Sequence, residues 1–157
     1  MRIYGFPPVE CENAVILIVG SMPSVMSLKD SFYYAHRQNA FWPIMADILL
    51  SPRPETTEEK KQLLQTNRIA LWDVYASCIR EGSLDSAIRA GEKNDFASFF
   101  SSHPNIRAVL CNGKAAYNAF PKDAPVPVLC MPSTSPAYTM KYEKKLALWQ
   151  EAIKNYL

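Results

Sequence analysis

The side chains of this sequence that could do chemistry gather in a few polar, proline-shaped loops. Gly20-Ser21-Met22-Pro23-Ser24 is the first, and residues 33–45 (YYAHRQNAFWPIM), with Tyr34 and Asn39, are the second. Residues 70–88 (ALWDVYASCIREGSLDSAI) carry Asp73. Asn112-Gly113-Lys114 and residues 131–138 (MPSTSPAY) complete the set. Amides, hydroxyls and a carboxylate in such loops suit a site that holds its substrate by shape and hydrogen bonds and uses water as reactant. The commoner chemistries lack their signatures. No GxGxxG follows the first apolar run, and neither a GxxxxGK[ST] phosphate loop nor a GxSxG elbow is present. Two histidines, His36 and His103, cannot build a histidine-rich metal site. The four cysteines, Cys11, Cys78, Cys111 and Cys130, contain no CxxC pair. We therefore expect no metal or other cofactor, and cysteines that are reduced and mostly buried.

Four apolar runs must position these loops: 14–20 (AVILIVG), 69–75 (IALWDVY), 106–111 (IRAVLC) and 126–131 (VPVLCM). Continuous rather than alternating apolar character predicts parallel strands buried on both faces. Helical stretches fall between them at 40–49, 57–66 and 114–120. A last one runs over about 140–156, where Leu146, Trp149, Ile153 and Tyr156 recur at helical spacing. Strands alternating with helices predict an α/β fold, a three-layer α/β/α sandwich on a short, mainly parallel four-stranded sheet. Ligands of such folds bind beyond the carboxyl ends of the strands. The chemistry-bearing loops follow or end those strands. The segment 51–57 (SPRPETT) reads as a loop, and residues 1–157 as one domain.

The 157 residues allow a sizeable single core, and 48% hydrophobic with 20% charged content is ordinary for a globular protein. No apolar run is long enough to span a bilayer, and the N-terminus lacks the apolar segment of a secretory signal. A cytoplasmic protein with no membrane partner, working as a monomer, is the expectation. A net charge of +2 does not announce a nucleic-acid binder, but an enzyme that handles one nucleotide needs only a local positive rim.

In their order and spacing the five loops resemble the uracil-DNA glycosylase superfamily, most closely its hypoxanthine-DNA glycosylase branch. The likeness runs from GFPPV (5–9) to the last helix. The second loop of that branch looks like GHPxNRFW; here Ala35, Arg37 and Ala40 replace the glycine, proline and arginine, while Asn39, Phe41 and Trp42 remain. Uracil enzymes often carry Asp or Asn after the first strand to direct water, and Met22 stands there instead. The resemblance implies a single-domain, monofunctional DNA glycosylase. Its substrate would be DNA containing deaminated bases: it would flip a base such as hypoxanthine out of DNA and hydrolyse its glycosidic bond, with no cofactor. Rival readings are a uracil-directed enzyme of the same superfamily and a module that binds purine or damaged DNA without cutting it.

The resemblance also implies roles. Asn39 would place the attacking water; as a favoured N-cap, it could equally cap the following helix. Tyr34 would stack on the flipped base, with a core tyrosine as the alternative, and Tyr33 reads as core. Asp73 would accept the N1–H of hypoxanthine, a donor that adenine lacks, or else be a structural acid near Arg80 or Ser77. Ser21 and Met22 would line the base pocket. Asn112 would bind base or backbone, or cap a helix, and Lys114 would meet a phosphate or only solvent. Ser24, Ser133, Thr134, Ser135 and Pro136 would contact DNA, the last four in a proline-stiffened loop that enters the minor groove with only a weak apolar wedge.

Overall fold

The computed structural model describes residues 1–157. Its strands are β1 (Arg2–Tyr4), β2 (Ile16–Gly20), β3 (Ile69–Asp73), β4 (Tyr75–Ile79), β5 (Arg89–Lys93), β6 (Ala108–Asn112) and β7 (Val128–Met131). Its helices are α1 (Val25–Asp30), α2 (Phe41–Ile48), α3 (Thr57–Thr66), α4 (Phe96–Ser102), α5 (Lys114–Ala119) and α6 (Tyr142–Tyr156). Four strands form one sheet in the order β3-β2-β6-β7, with every pairing parallel. All of β2 is buried, which is why its sequence is apolar at every position rather than at alternate ones.

Side chains alternate across that sheet into two cores. Ile16, Ile18, Ile69, Leu71 and Leu110 face α2, α3 and α6 through Phe41, Ile44, Met45, Leu64, Trp149 and Ile153. Leu17, Val19, Ala70, Val109 and Cys111 face α4 and α5 through Phe96, Phe99, Ala116 and Phe120. Each large side chain fully buried there contributes about 1.5–3 kcal/mol. Helices therefore cover both faces, giving the three layers. Pro43 sits in the first turn of α2, where its missing N–H would have no helical partner anyway. The α3 start is fixed by a capping box between Thr56 and Glu59. Val9 exchanges backbone hydrogen bonds with Leu71 at 2.8 and 2.9 Å and so covers the outer edge of β3.

One expected strand is divided. Residues 69–75 do not run on as a single strand: β3 ends at Asp73, and after Val74 the chain enters β4, which joins β1 and β5 in a separate antiparallel sheet. That three-stranded sheet, together with α1 and α4, is additional to the elements expected from the sequence. No helix is long and apolar enough to cross a membrane.

Candidate active site at the carboxyl edge of the sheet

Register brings the loops together. Gly20 lies opposite Asp73 at the ends of β2 and β3, and Asn112 lies opposite Met131 at the ends of β6 and β7. The strand order turns back on itself between β2 and β6, the place where open α/β sheets leave a crevice. A polar cleft of about 130 Å³ opens at this edge, with Tyr34, Asn39, Asp73 and Asn112 on its walls. Ser21, Met22 and Ser24 close one side, and Ser133, Thr134 and Ser135 the other. Lys114, exposed at the first position of α5, and Pro136, exposed on its loop, lie outside the cleft.

Asp73 is buried, at 3% exposure, and its Oδ2 has no hydrogen-bond partner. Neither candidate structural partner serves it. Ser77 accepts from Arg2 at 2.9 Å, and Arg80 donates to the Pro23 carbonyl at 2.5 Å. Burial, then the charge of Asp85, push the Asp73 carboxyl up to about 7, with Arg80 opposing. Beside it the Tyr34 hydroxyl is also buried and unpartnered. Burial first and the Asp73 charge second hold that hydroxyl well above the usual tyrosine range. Tyr34 has a left-handed backbone (φ 53), a strained state for an aromatic residue that is concentrated at functional sites. Tyr33 is core, as expected, with its hydroxyl donating to the Pro7 carbonyl at 2.8 Å.

Asn39 precedes α2, and its Oδ1 accepts the Phe41 N–H at 2.9 Å. Ala40 holds the N-cap position without a side-chain bond, so Asn39 is not the N-cap; one residue earlier, its side chain supports the helix start through an Asx turn while remaining on the cleft wall. A carbonyl oxygen has a second lone pair for a water. The next residue ties the loop down, Ala40 N–H donating to the Thr134 carbonyl at 3.0 Å.

Asn112 is not a helix cap, since Gly113 (φ 96) holds that position without a side-chain bond. Its amide instead clasps Thr134 twice, accepting from the backbone N–H and donating to Oγ1, both at 2.9 Å. These bonds use one N–H of Nδ2 and one lone pair of Oδ1, leaving a second of each, and make Asn112 a support of the MPSTSPAY loop. Through Thr134 and Ala40 it also supports Asn39. Asn112→Ala should leave two polar groups of the 1%-exposed Thr134 unpaired and lower stability by about 1–3 kcal/mol. Urea melts read this directly, and unchanged stability would contradict the clasp.

Two further expected contacts compete with internal bonds. Ser24 caps α1, accepting from Ser27 N–H at 3.1 Å, and Ser21 donates to Asp85 at 2.5 Å. Both hydroxyls hold the loop around the cleft, so Ser21 and Ser24 shape the pocket as built. Asp85 itself was not visible as a site residue, because its contact spans 64 positions. Lys145 was missed too. It lies on α6, donates to the Ser135 carbonyl at 3.1 Å and sits 5.4 Å from the centre of the exposed Tyr138 ring. Trp149 holds the Pro132 carbonyl at 2.9 Å. No group of three or more His, Cys, Asp or Glu side chains is arranged to hold a metal ion.

The model of the uracil DNA glycosylase superfamily matches residues 7–156. A protein named hypoxanthine DNA glycosylase from Methanosarcina barkeri (strain Fusaro / DSM 804) is 33% identical over 157 residues, covering 98% of this chain and 99% of its own. A second protein of that name, from Methanosarcina acetivorans, is 34% identical over 154 residues, covering 96% and 98%. A solution NMR structure from Methanosarcina acetivorans, described as a candidate uracil DNA glycosylase, aligns with a TM-score of 0.87. Its identity is 33% and its coverage 99% of this chain and 98% of the other.

Proposed function

The chain belongs to the uracil DNA glycosylase superfamily, and from that premise we propose that it is a monofunctional DNA glycosylase acting on deaminated bases, hypoxanthine foremost, as a cytoplasmic monomer. The observation that carries the base assignment is Asp73, a buried carboxyl with an unpaired oxygen at the end of β3, in the cleft that also holds Asn39. A buried acceptor without a protein donor suits a ligand that brings one. Hypoxanthine brings N1–H and uracil N3–H, while adenine and cytosine lack that donor; hypoxanthine stands foremost because the similar Methanosarcina proteins carry its name.

The reaction follows from the walls of the cleft. Asn39 Oδ1 spends one lone pair on Phe41 N–H and offers the other to a water, holding it by proximity rather than by base strength. The C1′–N9 bond breaks with its electron pair leaving on the purine. The water oxygen bonds C1′, and the proton it loses passes through solvent to the departing purine anion, which leaves as the neutral base. Met22 neither accepts nor donates strongly, so it packs against the substrate without directing water. The exposed Pro136, Ala137 and Tyr138 present the MPSTSPAY loop to the duplex, and exposed Lys114 supplies a phosphate contact.

Purified protein incubated with deoxyinosine and deoxyuridine duplexes, then treated with hot alkali, should yield strand breaks at deoxyinosine. EDTA should leave the rate unchanged, since water is the only co-reactant required. Breaks at deoxyuridine alone would transfer the assignment to uracil. Activity lost in EDTA and restored by zinc would overturn the metal-free mechanism.

A further inference from the structure

Two adjacent side chains in the cleft, Tyr34 and Asp73, are buried and short of hydrogen-bond partners. Buried polar groups are nearly always paired, so a neighbouring pair of orphans is unlike an isolated one. The Tyr34 hydroxyl and the Asp73 carboxyl also crowd the same place beside Gly20, the carboxyl through Oδ1, the neighbour of its unpartnered Oδ2. A Cβ built on Gly20 would lie 2.6 Å from the Tyr34 hydroxyl and 2.6 Å from Asp73 Oδ1. Only glycine leaves that place open. The Tyr34 ring has one face against Phe41, with centroids 4.3 Å apart and a 30° tilt. Its left-handed backbone is held by the surrounding fold although it brings the hydroxyl no protein partner.

We propose that the Tyr34 hydroxyl donates to the carbonyl of the flipped base while the Asp73 carboxylate accepts the adjoining N–H, so that the two together read the –NH–C(=O)– edge that deamination creates. This rests on the glycosylase reading above and makes Tyr34 a specificity-determining donor in addition to a packing surface. Hydrolytic deamination replaces an amino group by a carbonyl and puts a proton on the neighbouring ring nitrogen. Adenine thereby becomes hypoxanthine, and cytosine becomes uracil. In each case an acceptor beside an amino donor turns into a donor beside a carbonyl acceptor. A carboxylate next to a protonated hydroxyl matches the second pattern: the carboxylate opposes the lone pair in the first, and the hydroxyl, which can donate or accept, supplies the donor that the carbonyl takes. The Tyr34 hydroxyl keeps its proton throughout the physiological range, because burial and the Asp73 charge oppose its loss. The matched substrate class is therefore the lactam-edged bases, xanthine included. Guanine shares that edge with an added amino group and must be excluded by the space around it.

The test is single-turnover cleavage of duplexes containing hypoxanthine or 6-thiohypoxanthine by wild type and Tyr34→Phe. The phenylalanine variant keeps the ring and removes an unpaired buried hydroxyl, so its melting temperature should be unchanged or higher. Hypoxanthine cleavage should fall roughly ten- to hundredfold. On the thio base, a weak acceptor that retains N1–H, the ratio of wild type to variant should shrink to a few-fold. Equal hypoxanthine rates, or an equal ratio on both bases, would overturn the proposal while leaving the glycosylase reading intact. A wild-type protein inert on every deaminated base would refute that reading, and the proposal with it.

Discussion

Asn39→Ala should slow single-turnover cleavage of deoxyinosine DNA by roughly two to three orders of magnitude, a few kcal/mol of barrier, with affinity for the damaged duplex largely kept. The same change should also cost about 1 kcal/mol of stability, because it removes the hydrogen bond that Oδ1 accepts from the first amide of α2. Two separable losses are expected from one side chain, and three variants pull them apart. Asn39→Asp keeps an acceptor for Phe41 N–H and another lone pair for water, so it should retain most of both. Asn39→Ser can still close the helix start through a shorter, weaker bond of the same kind, but should not reach the water. A well-folded serine variant that cleaves at the wild-type rate would leave Asn39 with the helix alone. The position of the residue makes the outcome legible: the Thr134 carbonyl anchors Ala40 from the other side, so the loop has a second tether when the Asn39 side chain is lost.

The elements that hold this site were legible to the extent that their burial was uniform. β2, β3 and β6 carry near-continuous apolar runs because helices cover both faces, whereas the edge strand β7 is equally apolar although only Met131 of it is buried. Helix α3 could be read to the residue from its cap and acidic first turn. By contrast, β5 (RAGEK) is exposed along its whole length and has no apolar pattern to read. β1 has three residues and α1 six, too short to show a period. Helix α4 had a signal in Asp95, whose side chain caps Ser98 N–H, followed by Phe96 and Phe99 on one face. At the site, the family resemblance carried by the five loops singled out Tyr34, Asn39 and Asp73, and one cleft holds all three. Which atoms stay free was not legible. That depends on contacts between distant segments, such as Asn112 with Thr134 and Ser21 with Asp85, which no local periodicity records.

Asp73→Asn should make the protein more stable and less selective, with both effects set by pH. The carboxyl titrates near 3.8 when unconstrained and at about 7 in the fold. Between those values the folded chain holds a proton that the unfolded chain has released. Stability must therefore fall as pH rises through this window and level off above it. The groups that set the shift are the burial itself and Asp85, both raising it, and Arg80, lowering it, while Tyr33 and Tyr34 feel the charge in turn. Asparagine carries no charge at any pH. The advantage of the variant should be small near pH 4 and grow to a few kcal/mol by pH 8, read from urea melts across that range. Parallel pH–stability curves for the two proteins would mean that the carboxylate finds a partner in solution. Cleavage should move the other way. Only the ionised carboxylate rejects the N1 lone pair of adenine, because a protonated carboxyl or an amide can turn a donor toward it. Wild-type preference for deoxyinosine over deoxyadenosine should therefore rise with pH through about 7, and in Asp73→Asn it should be low and flat. The fold would then be keeping an uncompensated acid for its selectivity at the expense of stability. If the variant discriminates as well as wild type at pH 8, the carboxylate is not what reads the base.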